Sequence, residues 1–421
     1  MTGGDELRGL RVLVVGLARS GRAAAEALLR HGAAVVGYDR DETVDTGRLA
    51  GLGVEVHVGR EEETLLTGID LVVKSPGVPG ETPLVAGARV REVPVWSEIE
   101  LGARLLESPL LGVTGTNGKT TTCELLGAMF RAAGRPVEVA GNVGRPLTSL
   151  EGRVARDTWV VCELSSFQLE DVETLRPEIA VLLNLEPDHL DRHGTFEWYV
   201  DAKLRIFELQ TEDEVAVVPA GFGPIPGGAR RIEFRLDDPL PAEPLIPGPH
   251  NRENAAAATA AARAAGLQDD AIAEALRTFP GVPHRIELVA AIDDVRFVND
   301  SKATNVAAAR RALASFPDAR LHVILGGRGK AEPYAPLAES FRRGDRAYLI
   351  GEATEAIAAA LDAEGLPYAR CGDLERALAD AAAAAEPGDV VLLSPACASF
   401  DQFEDFEARG DAFRRLVEAL S

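Results

Sequence analysis

Short runs of consecutive apolar residues, each ending at a glycine or proline turn and followed by helical spacing, recur along this chain. The first, LRVLVVG at 10–16, leads through LARSG into AAAEALLRHG at 23–32, with Gly32 as the stop. Continuous apolar runs of this length suit strands buried on both faces, and their alternation with helices predicts doubly wound parallel sheets. AAVVGYD at 33–39 and IDLVVKSPG at 69–77 read as further strands, and VREVPVWSE at 90–98 as a crossover. A fresh strand–turn–helix begins at LLGVTGTNGKTT (110–121) and continues through WVVCELSS (159–166) and IAVLLNLEPDH (179–189). Residues 213–249, rich in Gly and Pro, predict a small β excursion. NAAAATAAARAAG at 254–266 is an alanine-rich helix closed by Gly266. Beyond FPGVPHR (279–285), apolar runs in 295–302, 321–327, 346–351 and 389–395 predict a third α/β unit. The expected organisation is α/β with three domains: 1–93, 94–281 and 282–421.

Composition narrows the class. The chain has 421 residues, 46% hydrophobic and 26% charged, with no apolar stretch of the roughly 18 residues that cross a bilayer. Acid precedes the first apolar run, which turns at a glycine, so a signal peptide is not expected and a cytoplasmic location is. A formal charge of −22 opposes a nucleic-acid or anionic-membrane partner at long range. Cys123, Cys162, Cys371 and Cys397 lack CxxC spacing and read as reduced core thiols. A monomer is expected.

Only five lysines stand among 44 basic residues. Lys is a compact charge whose amine can deprotonate and react, whereas the guanidinium stays charged and planar. Four of the five fall in unusual settings: TGTNGKTT, NDSKATN, GGRGK and the helix after an acidic His segment. In the first, Gly115, Thr116, Asn117, Gly118, Lys119, Thr120 and Thr121 form a variant phosphate loop, with Val113 where the standard pattern has Gly. Backbone N–H groups at a helix start would close around phosphate, Lys119 would reach it, and the Thr120 hydroxyl would hold Mg²⁺. Glu163 ends another strand of the same unit, where an acid can also ligate Mg²⁺. EPDHLDRHG gathers Glu186, Asp188, His189, Asp191 and His193, a polar loop by default. On spacing alone, Lys203 in WYVDAKLRIF is a surface lysine, and Lys74 before SPG is open to either reading. Gly16-Leu17-Ala18-Arg19-Ser20-Gly21 resembles a dinucleotide turn with Ala18 in place of its second Gly, and Asp39 ends the next strand. That predicts a Rossmann-like first domain without NAD. In the third unit, polar loops follow three strands: Asn299–Asn305, 326–330 and 394–403. Together at strand C-termini they would make a ligand mouth.

TGTNGKTT, GNVG at 141–144, ELSSFQLE at 163–170, NLEPDHLDRHG, AKLRIF, PHR, NDSKATN and SPACASFDQF occur in the order they take in the Mur ligases, which the whole chain resembles. These are ATP-dependent amide ligases of peptidoglycan precursor synthesis. The phosphate loop is shared among members; the carboxy-terminal motifs look most like the branch adding D-glutamate. The resemblance implies a Rossmann-like uridine-nucleotide domain, a central P-loop ATP domain and a Rossmann-like amino-acid domain. It implies ATP, two Mg²⁺ ions, UDP-N-acetylmuramoyl-L-alanine and D-glutamate. Lys119 and Thr120 match phosphate and Mg²⁺ positions, Glu163 a Mg²⁺ ligand, and His189 a ligand of the second ion. Lys203 matches a lysine carried as an N-carboxylated carbamate, which requires a neutral amine. Asn254, Arg285 and Asp300 match nucleotide contacts. Arg19, Ser20, Asp39, Arg40, Ser75 and Asn142 match the uridine-substrate side, and Lys302, Thr304, Lys330, Ser399 and Phe406 the D-glutamate pocket. Two departures stand out: Arg40-Asp41 replaces a common Thr-Arg, and Arg328 replaces an Asp seen in some relatives.

Overall fold

The computed structural model describes residues 4–329 and 332–420, without the side chains of Leu190 and Asp191. Three sheets organise the chain. The first holds Arg11–Val15 (β1), Ala34–Asp39 (β2), Glu55–Val58 (β3), Leu71–Lys74 (β4) and Val95–Ser97 (β5), in the order β3-β2-β1-β4-β5 and all parallel. The segment 90–98, expected as a crossover, thus contains a strand. Three residues with a single apolar alternation are too short to signal one, and pairing with β4 supplies what local pattern lacks.

The second sheet holds Leu110–Thr114 (β6), Val137–Gly141 (β7), Trp159–Glu163 (β8), Ile179–Leu182 (β9), Val215–Pro219 (β10) and Arg230–Phe234 (β11). Its order is β11-β10-β9-β6-β8-β7, again parallel throughout. The Gly/Pro-rich stretch expected as a small β excursion supplies β10 and β11, which extend this sheet by two strands. β6 lies at its centre between β8 and β9, so all five of its residues are buried. Helices then cover the sheet faces, as buried parallel strands require.

The third sheet holds Glu287–Ile292 (β12), Val295–Asn299 (β13), Leu321–Gly326 (β14), Arg346–Ile350 (β15), Tyr368–Gly372 (β16) and Val390–Leu393 (β17), in the order β12-β13-β17-β14-β15-β16. Only β12 runs antiparallel, joined to β13 by a turn at Asp293-Asp294, both at positive φ. β12 and β16, whose sequences alternate weakly, went unread; β13, β17 and β14 lie side by side as expected. All four cysteines are free thiols; Cys371 is half-buried and the other three are buried.

The chain divides into two compact units, one of residues 1–243 and 253–276, carrying the first two sheets, the other of 244–252 and 277–421, carrying the third. Within the first unit, Glu98 opens the helix Glu98–Leu105 and is fully buried, its Oε1 accepting from the Thr148 backbone and hydroxyl at 2.7 Å each. Burial pushes its carboxyl up to about 7, against the Thr148 hydrogen bonds. A carboxyl raised on folding stabilises below its unfolded pKa and loses that contribution as pH rises to its folded value. Glu98→Gln, which cannot ionise, should therefore lose less melting temperature than the parent between pH 4.5 and 7.5. Equal slopes in thermal melts across that range would contradict this.

Candidate active site

β6 delivers the chain into Gly115 (φ 147°), and the helix Lys119–Ala132 starts four residues beyond it, capped by Gly118 (φ 85°). Val113 remains a buried strand residue, so the loop opens only at Gly115. Gly118 has no room for a side chain: a Cβ would lie 2.2 Å from the Asn254 Oδ1, and its left-handed φ disfavours one in any case. Asn254, buried on the helix Pro249–Ala264, thus abuts the phosphate loop. The loop is held open from its other side by Asn184. Thr116 N donates to Asn184 O (2.9 Å), and Asn117 N to Asn184 Oδ1 (2.8 Å). The Thr116 hydroxyl meets Tyr199 OH at 2.8 Å, and Asn117 Nδ2 donates to Glu186 (2.9 Å). Thr121 is buried in the first helical turn.

The charges at this loop are arranged around one carbonyl. Lys119 Nζ donates to Gly115 O at 3.0 Å and to Thr116 O at 2.9 Å; Lys203 Nζ donates to the same Gly115 O at 2.8 Å. Lys203 is only 2% exposed and sits 4.7 Å from the Tyr199 ring centre. The surface-lysine reading is overturned: tertiary contacts with Gly115 and Tyr199, which local spacing does not contain, enclose the side chain. Burial, then the charge of Lys119, push its amine down to about 7, with Asp188 and Glu163 opposing. A shift of that size corresponds to destabilisation of the ammonium, relative to an exposed lysine, on the order of 5 kcal/mol.

Across the loop, Thr120 Oγ1 donates to Glu163 Oε2 (2.7 Å), and Asn142 Nδ2 to Glu163 Oε1 (3.1 Å). Glu163 is 3% exposed at the end of β8, beside β6 in the sheet. The hydroxyl and carboxylate are hard oxygen donors, the type Mg²⁺ takes. His189, at φ 52°, packs edge-on to Phe167 (4.9 Å) and lies 3.6 Å from Asp188. His193 is buried, so only part of the EPDHLDRHG segment is the solvated loop expected by default.

On the first sheet, Asp39 is occupied by backbone: Leu17 N donates to Oδ2 (2.6 Å) and Asp41 N to Oδ1 (2.9 Å). Ser75 Oγ donates to Gly16 O (2.8 Å), closing the same turn. Arg19 donates to Gly144 O (3.0 Å), which brings that turn to the loop carrying Asn142. Ser20 is half-buried and Arg40 exposed at the same end of the sheet.

Within the second unit, Asp300 accepts from Ile286 N (3.2 Å) and the Ser394 hydroxyl (2.8 Å). Burial pushes its carboxyl up to about 7, against Ser394 and the Arg285 charge. Lys302 Nζ lies 5.4 Å from the Phe406 ring centre, Thr304 N donates to Lys302 O (2.8 Å), and Ser399 is buried. Lys330 lies outside the described residues. Arg328, exposed, pairs with Glu352 (3.1 Å). Gly327 (φ 129°) lets the GGRGK loop close on the SPACAS loop, where a Cβ would lie 2.2 Å from Ala398 O. Arg409 escaped the sequence reading although it stands in the EARG run. Fully buried, it donates from Nε to Ser301 Oγ (2.9 Å) and from Nη2 to Ser301 O (2.8 Å) and Cys397 O (3.2 Å), tying two of the three loops together. Tyr199 and Asn184 were missed likewise, though both lie within quoted motifs, WYVDAKLRIF and NLEPDHLDRHG.

The sequence matches three family models: Mur ligase MurD-like, N-terminal domain over residues 10–97, Mur ligase middle domain over 113–221, and Mur ligase, glutamate ligase domain over 284–397. The chain belongs to the Mur ligase family. Its full-length relatives carry a more particular name. The UDP-N-acetylmuramoylalanine–D-glutamate ligase of Sphingopyxis alaskensis is 46% identical over 98% of either chain. That of Acidobacterium capsulatum is 44% identical, covering 98% of this chain and 97% of its own. In fold, the chain is similar to the UDP-N-acetylmuramate-alanine ligase of Thermotoga maritima (TM-score 0.59, 19% identity, 98% and 100% covered). It is equally similar to the MurF ligase from that organism in complex with ADP (TM-score 0.59, 18% identity, 100% and 98% covered).

Gly118→Ala should weaken binding of a fluorescent ADP analogue at least about tenfold, roughly 1.4 kcal/mol, with the far-UV circular dichroism unchanged. Binding within twofold of the parent would remove the phosphate-loop assignment.

Proposed function

We propose that this chain joins D-glutamate to UDP-N-acetylmuramoyl-L-alanine at the expense of ATP, in the cytoplasmic synthesis of peptidoglycan precursors. Residues 1–93 bind the uridine nucleotide, 94–281 the ATP, and 282–421 the D-glutamate. The observation that carries the reading is the convergence of Lys119, Lys203, Thr120 and Glu163 on one phosphate loop. The choice of amino acid rests on likeness to the D-glutamate ligases and on the carboxy-terminal loops.

A carboxylate is a poor acyl donor, so the alanyl carboxylate is first phosphorylated by the ATP γ-phosphoryl group, releasing ADP. The D-glutamate amine adds to the acyl phosphate, loses a proton, and inorganic phosphate leaves as the amide forms. The obstacle is charge: one carboxylate about 4 Å from one phosphate charge costs about 4 kcal/mol at an effective dielectric near 20. Lys119 answers part of it by turning its ammonium from the loop carbonyls to the phosphates. Thr120, Glu163, His189 and Lys203 would hold two Mg²⁺ ions, which supply further positive charge at the transferring group. The fit for Lys203 is chemical. Its depressed pKa leaves much of the amine neutral near pH 7, the form that adds CO₂ to give a carbamate and a proton. Arg cannot supply that form. Asn142, held by Glu163, orients the substrate carboxylate toward the loop. Lys302, Thr304, Ser399, Phe406 and Lys330 bind D-glutamate, and Asn254, Arg285 and Asp300 the nucleotide.

Phosphate release from Mg²⁺-ATP should require both UDP-N-acetylmuramoyl-L-alanine and D-glutamate. Substitution of L-glutamate, D-alanine or L-lysine should abolish it; release with another of these would keep the ligase chemistry and overturn the choice of amino acid. Lys203→Arg should fold yet lose most activity, and Lys203→Ala should regain part of it with short carboxylic acids. A fully active Lys203→Arg enzyme would contradict the carbamate.

A further inference from the structure

Lys74 is the one lysine that the proposed chemistry leaves unused, and it is completely buried at the end of β4. Its Nζ lies 2.6 Å from Asp171 Oδ2 and 3.8 Å from Glu170 Oε2. The other oxygen of Asp171 is held by Arg89 at 2.6 Å. Both acids directly follow the short helix Ser166–Leu169, which begins three residues after Glu163. From Glu170 the contacts continue to the site. Glu170 Oε1 meets His193 Nδ1 at 3.1 Å, and His193 Nε2 meets Ser166 Oγ at 2.9 Å. The His193 ring stacks on Phe167 (5.3 Å), against which His189 also packs.

In the other direction, Lys74 precedes Ser75, whose hydroxyl closes the glycine turn of the first sheet through Gly16 O. The loop that follows is gripped a second time. Arg192 donates to Val78 O (2.8 Å) and Pro76 O (3.4 Å) while its guanidinium lies 3.7 Å over the Phe167 ring. Residues 75–78 are thus fastened from behind by Lys74 and from the front by Arg192, each time to the wall that carries Glu163 and His189. A buried ion pair is seldom more stabilising than apolar residues of the same volume. What it adds is one permitted geometry, since the charge must find its partners.

We propose that Lys74 is a positioning residue: through Asp171 and Glu170 it fixes the loop on the uridine-nucleotide side against the segment bearing Glu163 and His189. The substrate carboxylate is thereby presented to the phosphate loop in register. This inference rests on the ligase reading above for its kinetic consequence, but its structural consequence does not.

Two readouts on the full chain test it. In Lys74→Met, hydrogen–deuterium exchange should rise in both 75–78 and 186–194, with 115–118 unchanged. In the ligase assay, kcat should fall at least tenfold and KM for UDP-N-acetylmuramoyl-L-alanine rise about fivefold, with KM for ATP within twofold. A purely structural pair would lower the melting temperature while leaving the kinetic constants of the folded enzyme and the exchange of 186–194 as in the parent, and that result overturns the proposal. Should Lys74→Met fail to fold, Lys74→Met/Asp171→Asn removes both charges and is read in the same two ways. A parent without D-glutamate-dependent phosphate release would defeat the ligase reading, and the exchange arm would still decide the role of Lys74.

Discussion

Two lysine side chains meet at one carbonyl oxygen, Gly115 O, and the chemistry of the site follows from their incompatibility. Lys119 belongs to the loop itself and caps its carbonyls. Lys203 arrives from a helix 88 residues later and is sealed in by Tyr199 and the loop backbone. Two ammonium ions cannot share that space without large cost, so the more deeply buried one gives up its proton more readily. An amine that is readily deprotonated lies beside the phosphate loop as a result, its depressed pKa coming from packing and a neighbouring charge rather than from any dedicated base.

The remaining parts of the first unit hold that arrangement in place. The central position of β6 between β8 and β9 sets Glu163 beside Thr120 and lets Asn184 brace the loop. The first sheet is joined to this frame by contacts that converge on loops: Arg19 on Gly144, Arg192 on residues 76–78, and Lys74 on the acids after Ser166–Leu169. In the second unit, buried Asp300 and Arg409 do the same service for two of the three loops, those at the ends of β13 and β17. Buried charge recurs here wherever a loop must take one position.

The phosphate loop was legible in the sequence because its function is written in contiguous residues: glycines with positive φ, a lysine and a threonine at a helix start. The loops after β13, β14 and β17 were legible for the same reason, each being a polar run after an apolar strand. Lys203 and Lys74 were not, because what decides their roles lies far along the chain. Lys203 on its helix has the spacing of a surface residue, and nothing within ten residues announces the Gly115 carbonyl. Lys74 meets its acids only after some hundred residues of intervening chain. Strand β5 and the β10–β11 extension were hidden because short or Gly/Pro-flanked strands take their identity from the neighbour they pair with.

The most direct test is the ionisation of Lys203 itself. With five lysines in the chain, ¹³Cε-lysine labelling gives few enough resonances to assign by substitution, and titration in CO₂-free buffer reports the Lys203 amine alone. The account predicts a midpoint near the value of about 7 set by its surroundings, moving upward in Lys119→Met. A midpoint close to that of an exposed lysine, indifferent to Lys119, would contradict it.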